Sequence, residues 1–329
     1  MDNIYIKLLD IRKDFDLLSE FLRNNENSTL FHDPSFLMYH SSNKFKEHNL
    51  GFFKGNQLQA FIPFALLESA KQNVALSPYG ASFGGFVCKD DVSFLEIHSY
   101  LQLLIDYFKQ FNISKITLTF PPRNYFKTQN IIDNINSGLA QVGFLLESEY
   151  ITSIVDFRNM ELMDLFHSSA RRKYVNAQNS KISMKIVENK DNVELGIFYK
   201  MLEDTLKIHN ASPTHTFEEL VYLFDKCQDR IKLFLAKKDS NYLAGIVLFL
   251  VTPSTALAFY NARNLEENDP NSLTFLFAET IEWLKARNYS FLDLGTTQKI
   301  GVPLNKGLFQ FKDSLGSTSV LREKWTIEI

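Results

Sequence analysis

The sequence predicts an α/β protein with mixed sheets, built from two consecutive domains of similar plan. Strand-like runs alternate with amphipathic helical stretches along the chain of 329 residues, as in sheets that are covered by helices. The order of elements in the first half returns in the second half at an offset of about 175 residues, which indicates a duplicated domain. We therefore expect a first domain at 1–157 and a second at 158–329, and the C-terminal strand could pack back on the first.

Local signals place the elements of the first half. Pro34 suits the first position of a helix, Gly55 lies in a turn between two apolar runs, and Pro121 closes a strand. The predicted elements are a strand at 4–8, helices near 14–24 and from Pro34, a hairpin at 50–68, a helix at 93–111, a strand at 115–120, a helix at 128–142 and a strand at 144–157.

The second half repeats this order. A hairpin precedes a strand, a helix and a strand in both halves, so neither half has the regular βαβ order of a dinucleotide-binding fold. The predicted elements are an amphipathic stretch at 160–179, a strand at 183–188, two helices within 193–227, a hairpin at 232–251, a strand at 256–262, a helix at 272–287, a strand at 290–295 and a strand at 317–329.

Composition and charge exclude several classes of protein. The net charge is −3, so we do not expect the chain to coat nucleic acid. Cys88 and Cys227 lack metal-ligand spacing, so we expect no metal site and no disulfide framework. The longest apolar run, 243–251, is too short to cross a bilayer, and the N-terminus does not read as a signal peptide. We expect a cytoplasmic protein.

Six short motifs follow one another along most of the chain. They are SPYGASFGG (77–85), SSARRKYVNAQ (168–178), YLAGIVLFL (242–250), FYNAR (259–263), FLDLG (291–295) and GLFQFKDSLG (307–316). In this order and spacing they resemble the Fem family of peptidoglycan aminoacyltransferases and its FemAB-like relatives. The resemblance implies two tandem GNAT-like domains, of the acyl-CoA N-acyltransferase type. It also implies transfer of an acyl group to a primary amine, from aminoacyl-tRNA in the Fem enzymes or from acyl-CoA in most GNAT proteins.

The candidate catalytic residues lie in the second half. An amine attacks the acyl donor directly, so the reaction needs positive charge for the oxyanion and the leaving group rather than an enzyme nucleophile. Phe311-Lys312 matches a Phe-Lys pair at the active site of the Fem family, although Lys312 alone reads as a solvated charge. Asp293 lies near the end of a buried-type strand, where it could orient the amine or satisfy backbone donors. Tyr260 and Asn261 end the neighbouring strand. We expect Lys312, Asp293 and Tyr260 to be catalytic, and Asn261 and Phe311 to bind substrate.

Two further segments are candidates for binding the acceptor. Ser168 or Ser169 could cap a helix, which would place Arg171 in its first turn, where an anion is favoured. The resemblance places acceptor-phosphate contacts in this segment, with Arg171 and Tyr174 as the matching positions. A helix that already began near residue 160 would leave these residues as surface charges. Gly80 and Gly84 could let the backbone approach the acceptor, or simply form a tight connection.

The donor and the base remain open at this point. His209 and His215 could deprotonate an ammonium acceptor, although loop histidines are more often structural. Of the two, His215 is our candidate substrate-binding residue. The segment 262–272, ARNLEENDPNS, is acidic and contains no glycine, which disfavours binding of an acyl-CoA pyrophosphate.

Three functions compete. The first is acyl or aminoacyl transfer to an amine of a cell-wall or sugar-nucleotide-type acceptor. The second is acetyl-CoA-dependent N-acetylation, and the third is a GNAT-like scaffold that binds without catalysis. No cofactor is expected to be bound permanently. The expected partners are a small-molecule amine, nucleotide-linked or not, and tRNA if the donor is aminoacyl-tRNA.

Overall fold

The chain folds into two compact units. A computed structural model describes residues 4–40, 44–68, 72–148, 150–187 and 192–329. One unit consists of Met1–Glu149 together with Leu321–Ile329, and the other of Tyr150–Val320. The second unit therefore begins at Tyr150, whereas the sequence predicted a boundary at 157/158.

The first unit contains strands and helices close to the predicted positions. Its α-helices are α1 (Phe15–Arg23), α2 (Pro34–Leu37), α3 (Phe94–Lys109) and α4 (Gln129–Gln141). Its strands up to residue 148 are β1 (Ile4–Leu9), β2 (Lys46–Glu47), β3 (Asn49–Lys54), β4 (Gln57–Ile62), β5 (Ala65–Glu68), β6 (Asn73–Ser77), β7 (Val87–Cys88), β8 (Lys115–Thr119) and β9 (Leu145–Glu147).

Two sheets form the first unit. One has the strand order β1-β3-β4-β7, and the other contains β2-β5-β6-β8 and β9. The predicted hairpin is confirmed, with Lys54 opposite Gln57 and Gly55 at a φ of +58°. Helix α3 starts at a capping box in which Ser93 and Glu96 bond to each other's backbone. The core beneath α3 is rich in aromatic rings, as the high phenylalanine content predicts.

The second unit holds one mixed sheet. Its strands are β10 (Tyr150–Asp156), β11 (Ser183–Val187), β12 (Ile231–Lys238), β13 (Asn241–Leu250), β14 (Thr255–Arg263), β15 (Phe291–Lys299) and β16 (Ser317–Leu321), in the order β11-β12-β13-β14-β15-β10-β16. Its helices are α5 (Leu162–Leu165), α6 (Ser168–Asn179), α7 (Asn192–Lys207), α8 (Phe217–Lys226), α9 (Ser272–Lys285) and α10 (Lys306–Ser314).

Two predicted strands divide between the units. The run at 144–157 becomes β9 in the first unit and β10 in the second, on either side of residue 149, which lies outside the described residues. The run at 317–329 becomes β16 and β17 (Lys324–Glu328), and β17 lies between β8 and β9. The C-terminal strand thus completes the first unit's six-stranded sheet. Likewise β11 is described only to Val187, and Glu188 lies outside the described residues.

Candidate active site

The candidate site lies where strands β14 and β15 cease to pair. Their parallel pairs run from Thr255–Phe291 to Leu257–Asp293, although both strands continue further. Gly295 follows at a φ of +76°, which glycine adopts without steric cost. The carbonyl oxygens of Gly295 and Thr296 accept hydrogen bonds from a side chain of α10.

That side chain is Lys312, which is buried. It is 4% exposed, and its Nζ donates to Gly295 O at 2.7 Å, to Thr296 O at 3.0 Å and to Thr297 Oγ1 at 3.0 Å. Burial lowers the pKa of Lys312 to about 8, while the negative charge of Asp293 opposes this shift. Lys312 is therefore not a solvated surface charge, and all three ammonium hydrogens have partners.

Asp293 is fully buried and is the third residue of β15, which continues to Lys299, whereas the sequence predicted a place near the end of the strand. Its Oδ1 accepts from Thr152 Oγ1 at 2.6 Å and from the Gly295 amide at 2.7 Å. The carboxylate therefore holds the backbone at Gly295, whose carbonyl in turn binds Lys312. The structure thus brings the two predicted residues Asp293 and Lys312 into one buried polar network.

Sequence reasoning missed three members of this network. Thr152 and Ser153 lie side by side in β10, and Ser153 Oγ is 2.6 Å from Thr297 Oγ1. All three hydroxyl side chains are buried. Two adjacent polar residues inside the apolar run YITSIV were the available signal, because buried polar groups need partners.

Gln298 positions the helix that carries Lys312. Its amide nitrogen donates to the carbonyls of Lys299, Val302 and Pro303 at 3.0–3.2 Å, and its Oε1 accepts from Asn305 N at 3.0 Å. Asn305 in turn caps α10 through Leu308 N at 3.1 Å. One side chain thus fixes the loop between β15 and α10.

Tyr260 and His215 form a second buried pair. Tyr260 OH accepts from the backbone amide of His215 at 3.0 Å and lies 2.9 Å from His215 Nδ1. Tyr199 OH donates to His215 O at 3.0 Å. Burial raises the pKa of Tyr260, so its hydroxyl stays protonated. In contrast, His209 is exposed beyond the end of α7.

Asn261 and Phe311, the other two residues predicted for this region, are both half-buried. Asn261 is half-buried on β14 opposite Ile246. Phe311 is half-buried, and its ring packs on the core 5.9 Å from the Phe277 ring. Substrate binding by Asn261 and Phe311 stays a prediction.

Helix α6 begins at Ser168, separate from the short helix α5. Its N-cap residue is His167, so the prediction that Ser168 or Ser169 caps the helix is wrong. Arg171 therefore lies in its first turn, which contains no acidic residue. Its Nε donates to Phe166 O at 2.6 Å, and its side chain is exposed. Tyr174, in the next turn, faces the protein core: its OH donates to Glu279 at 2.9 Å, and its ring stacks on Phe275. The acceptor contacts of both residues stay predictions.

Gly80 and Gly84 form a tightly packed connection in the first unit. Gly80 has a φ of +57°, and a Cβ there would lie 1.9 Å from the ring of His40. A Cβ at Gly84 would lie 2.6 Å from Ser77 Oγ. Packing therefore accounts for both glycines, and their contact with an acceptor stays a prediction.

In the segment before α9, the carboxylate of Asp269 bonds to backbone amides at the start of the helix. Asp269 Oδ1 accepts from the amides of Asn271 at 2.8 Å and Ser272 at 2.6 Å. These are amides that a bound phosphate would need at this helix start. Two of the first four amides at this helix start are thus bonded to a carboxylate and are not free for a phosphate.

Other features of the described residues bear on the site. A cavity of about 550 Å³ in the second unit is lined by Asp156, Arg158, His167 and Ser317, among others, and the predicted catalytic residues are not among its lining. Within the described ranges, no group of three His, Cys, Asp or Glu side chains could hold a metal. None of the helices in these ranges combines the length and the apolar character of a membrane span.

Comparisons with known proteins rest on structure alone, because no family model and no curated protein matches the chain. FemX superposes with a TM-score of 0.73 at 13% identity, covering 98% of this chain and 97% of that chain. L-PGS from Bacillus licheniformis gives 0.59 at 13% identity, covering 95% and 91%. A tandem GNAT protein from the clavulanic acid biosynthesis pathway gives 0.54 at 11% identity, covering 99% and 98%.

These likenesses extend over nearly the whole of each chain compared. They establish the architecture, since structures this distant in sequence share a fold rather than a function. The chain has a FemAB-like fold of the tandem GNAT type.

Proposed function

We propose that the protein is an N-acyltransferase that moves an acyl or aminoacyl group to a primary amine. The observation that carries this proposal is the buried cation Lys312 at the split between β14 and β15, with Asp293 in the same network, on an acyltransferase-type fold. Buried positive charge is what a developing oxyanion requires.

The reaction needs no covalent intermediate on the enzyme. The neutral amine attacks the acyl carbonyl carbon, the carbonyl oxygen takes up the negative charge, and the C–O or C–S bond to the donor then breaks. The proton lost by the amine ends on the leaving group. Lys312 would stabilise the oxyanion by its charge. A direct hydrogen bond would require exchange of one present partner, and Thr297 suits this because its hydroxyl retains Ser153.

Asp269 favours aminoacyl-tRNA over acyl-CoA as the donor. Its carboxylate bonds to the first amides of α9, so a CoA pyrophosphate there would meet negative charge instead of free donors. For the acceptor, Arg171 in the first turn of α6 supports a cell-wall or sugar-nucleotide-type amine that carries phosphate.

The test is a mass-shift assay of an amino-sugar and amino-peptide panel with aminoacyl-tRNA or acetyl-CoA. We expect product with aminoacyl-tRNA, and a loss of about 10²–10³ in turnover for Lys312→Met, the range seen when one oxyanion donor is removed. Lys306→Met, an exposed lysine of the same helix, is the control.

Three outcomes would redirect the proposal. Transfer from acetyl-CoA, with calorimetric binding of that donor, would favour the acetyltransferase alternative. Full turnover in folded Lys312→Met would remove Lys312 from the mechanism. Absence of transfer from both donors across the panel would favour a scaffold that binds without catalysis.

A further inference from the structure

A polar cavity in the first unit lies apart from every residue assigned above. It has a volume of about 610 Å³ and lies by the β3–β4 turn and the start of α3. Its walls include Lys54, Gln57, Gln59, Lys89, Glu96 and Tyr100. This size suits a small molecule.

Tyr100 presents an unpartnered hydroxyl to this cavity. The residue is 2% exposed, and its ring packs 5.2 Å from that of Phe52 in the core. Within the part of the chain that the structure describes, its OH has no hydrogen-bond partner, and Tyr100 lines the cavity. Burial raises the pKa of Tyr100, so the hydroxyl can both donate and accept. Because Tyr100 lines the cavity, its hydroxyl is available to a ligand oxygen.

A β-bulge directs a second polar group toward the same space. Phe52 pairs with Ala60 and Phe53 with Leu58, so Gln59 is the extra residue of β4. Bulges change the direction of a side chain and are frequent beside binding sites. Gln59 is 8% exposed, and its Nε2 donates to Gln57 O at 3.1 Å. Its Oε1 accepts no hydrogen bond from any described residue and is available to a ligand hydroxyl.

Two lysines supply positive charge to the cavity. Within the described ranges, neither Lys54 nor Lys89 forms an ion pair. The nearby Glu96 carboxylate accepts from Ser93 N at 3.0 Å and from Ser93 Oγ at 2.7 Å. These bonds lower the pKa of Glu96, and the charges of both lysines lower it further. Of the remaining acids, Asp91 also lines the cavity but is exposed. The lysine ammonium groups thus remain available to an anion.

We propose that this cavity binds a small hydroxylated molecule with one anionic group, of the class of sugar phosphates and sugar acids. Tyr100 and Gln59 would bond to ligand hydroxyls, and Lys54 and Lys89 would bind the phosphate or carboxylate. Polar side chains dominate the lining, which disfavours an apolar ligand. The site is independent of acyl transfer, because it uses no residue of the network around Lys312.

Calorimetric titration with glucose 6-phosphate, glucuronate, glucose and inorganic phosphate tests this assignment. We expect glucose 6-phosphate or glucuronate to bind at least about tenfold more tightly than glucose or phosphate, as a charge-assisted bond added to hydroxyl contacts requires. A preference for glucose 6-phosphate identifies a phosphate ligand, and a preference for glucuronate identifies a carboxylate ligand. The proposal would be overturned if neither glucose 6-phosphate nor glucuronate showed saturable binding.

Variants locate the binding. Tyr100→Phe keeps the packed ring and should weaken binding by about three- to tenfold, the effect of one neutral hydrogen bond. Lys54→Gln with Lys89→Gln should abolish the preference for the anionic sugar. Lys109→Gln, at the far end of α3, is the control for the loss of a lysine that does not line the cavity. Unchanged affinity in both cavity variants would show that the sugar binds elsewhere, and circular dichroism verifies that each variant is folded.

Discussion

At the scale of single residues, Lys312 shows how a buried charge is retained. Removing an ammonium from water is unfavourable, and three oxygen acceptors together with the charge of Asp293 offset part of that cost. The lowered pKa of Lys312 shows that the compensation is incomplete. The residue therefore reduces stability at neutral pH, as functional charges often do.

The lowered pKa of Lys312 predicts that this one side chain makes the stability of the protein depend on pH. Lys312 has a pKa of about 8 when folded, against an ordinary value of 10.5. Between these values the unfolded chain binds a proton that the folded protein does not, so the free energy of unfolding rises with pH in that window. From pH 7.5 to 10.5 the wild type should gain up to about 3 kcal/mol relative to Lys312→Met.

Urea unfolding at several pH values measures this difference. Comparison with the variant cancels the tyrosines and cysteines that titrate in the same range. Lys306→Met, which changes an exposed lysine, should follow the wild-type curve. Parallel curves for the wild type and Lys312→Met would mean that Lys312 is not a destabilised buried cation.

At the scale of elements, the start of α9 shows how a helix end can favour or reject a ligand. The carboxylate of Asp269 bonds to two of the first amides and complements the positive end of the helix dipole. The helix is thus stabilised without a ligand, and the same contact removes a phosphate site.

Asp269→Ala should therefore destabilise the protein. Loss of one hydrogen bond costs about 0.5–1.5 kcal/mol, and Asp269 accepts two from backbone amides, so the urea midpoint should fall. Glu266→Ala is the matched control, because Glu266 lies in the same loop and its exposed side chain does not cap the helix. An unchanged midpoint in Asp269→Ala would show that the amides are equally well satisfied by water.

The bounds of helices and strands were predicted correctly where turn or capping residues mark them, and wrongly where no such residue is present. Gly55 marks the first hairpin and Ser93 the start of α3, and both are confirmed. The run 144–157 has no internal glycine or proline, so nothing local marks the change from β9 to β10. For the candidate site, the catalytic roles of Lys312 and Asp293 stay predictions, and only their place in one buried network is seen in the structure. Lys312 and Asp293 lie in recognisable motifs, whereas Thr152 becomes meaningful only when pairing places it beside Asp293.

At the scale of the molecule, the C-terminal strand β17 lies between two strands of the first unit's six-stranded sheet. It pairs with β8 on one side and with β9 on the other, through Trp325 opposite Leu118 and Leu146. Trp325 is 7% exposed and belongs to the first unit's core. This unit is therefore completed only after the whole second unit has been synthesised, and its contacts span a long sequence separation.

Deletion of residues 322–329 should therefore disrupt the first unit selectively. Without β17, strands β8 and β9 lose their common partner and expose unpaired backbone groups, so their amides should lose protection in hydrogen exchange. The second unit's sheet contains no strand from the deleted segment.

The fluorescence of Trp283 should still report a cooperative unfolding transition of the second unit. Trp283 is the one tryptophan that the deletion leaves of the two in the chain. Trp325→Phe, which leaves β17 in place, is the control and should retain protection in β8 and β9. Retained protection in the truncated chain would show that the six-stranded sheet is stable without β17.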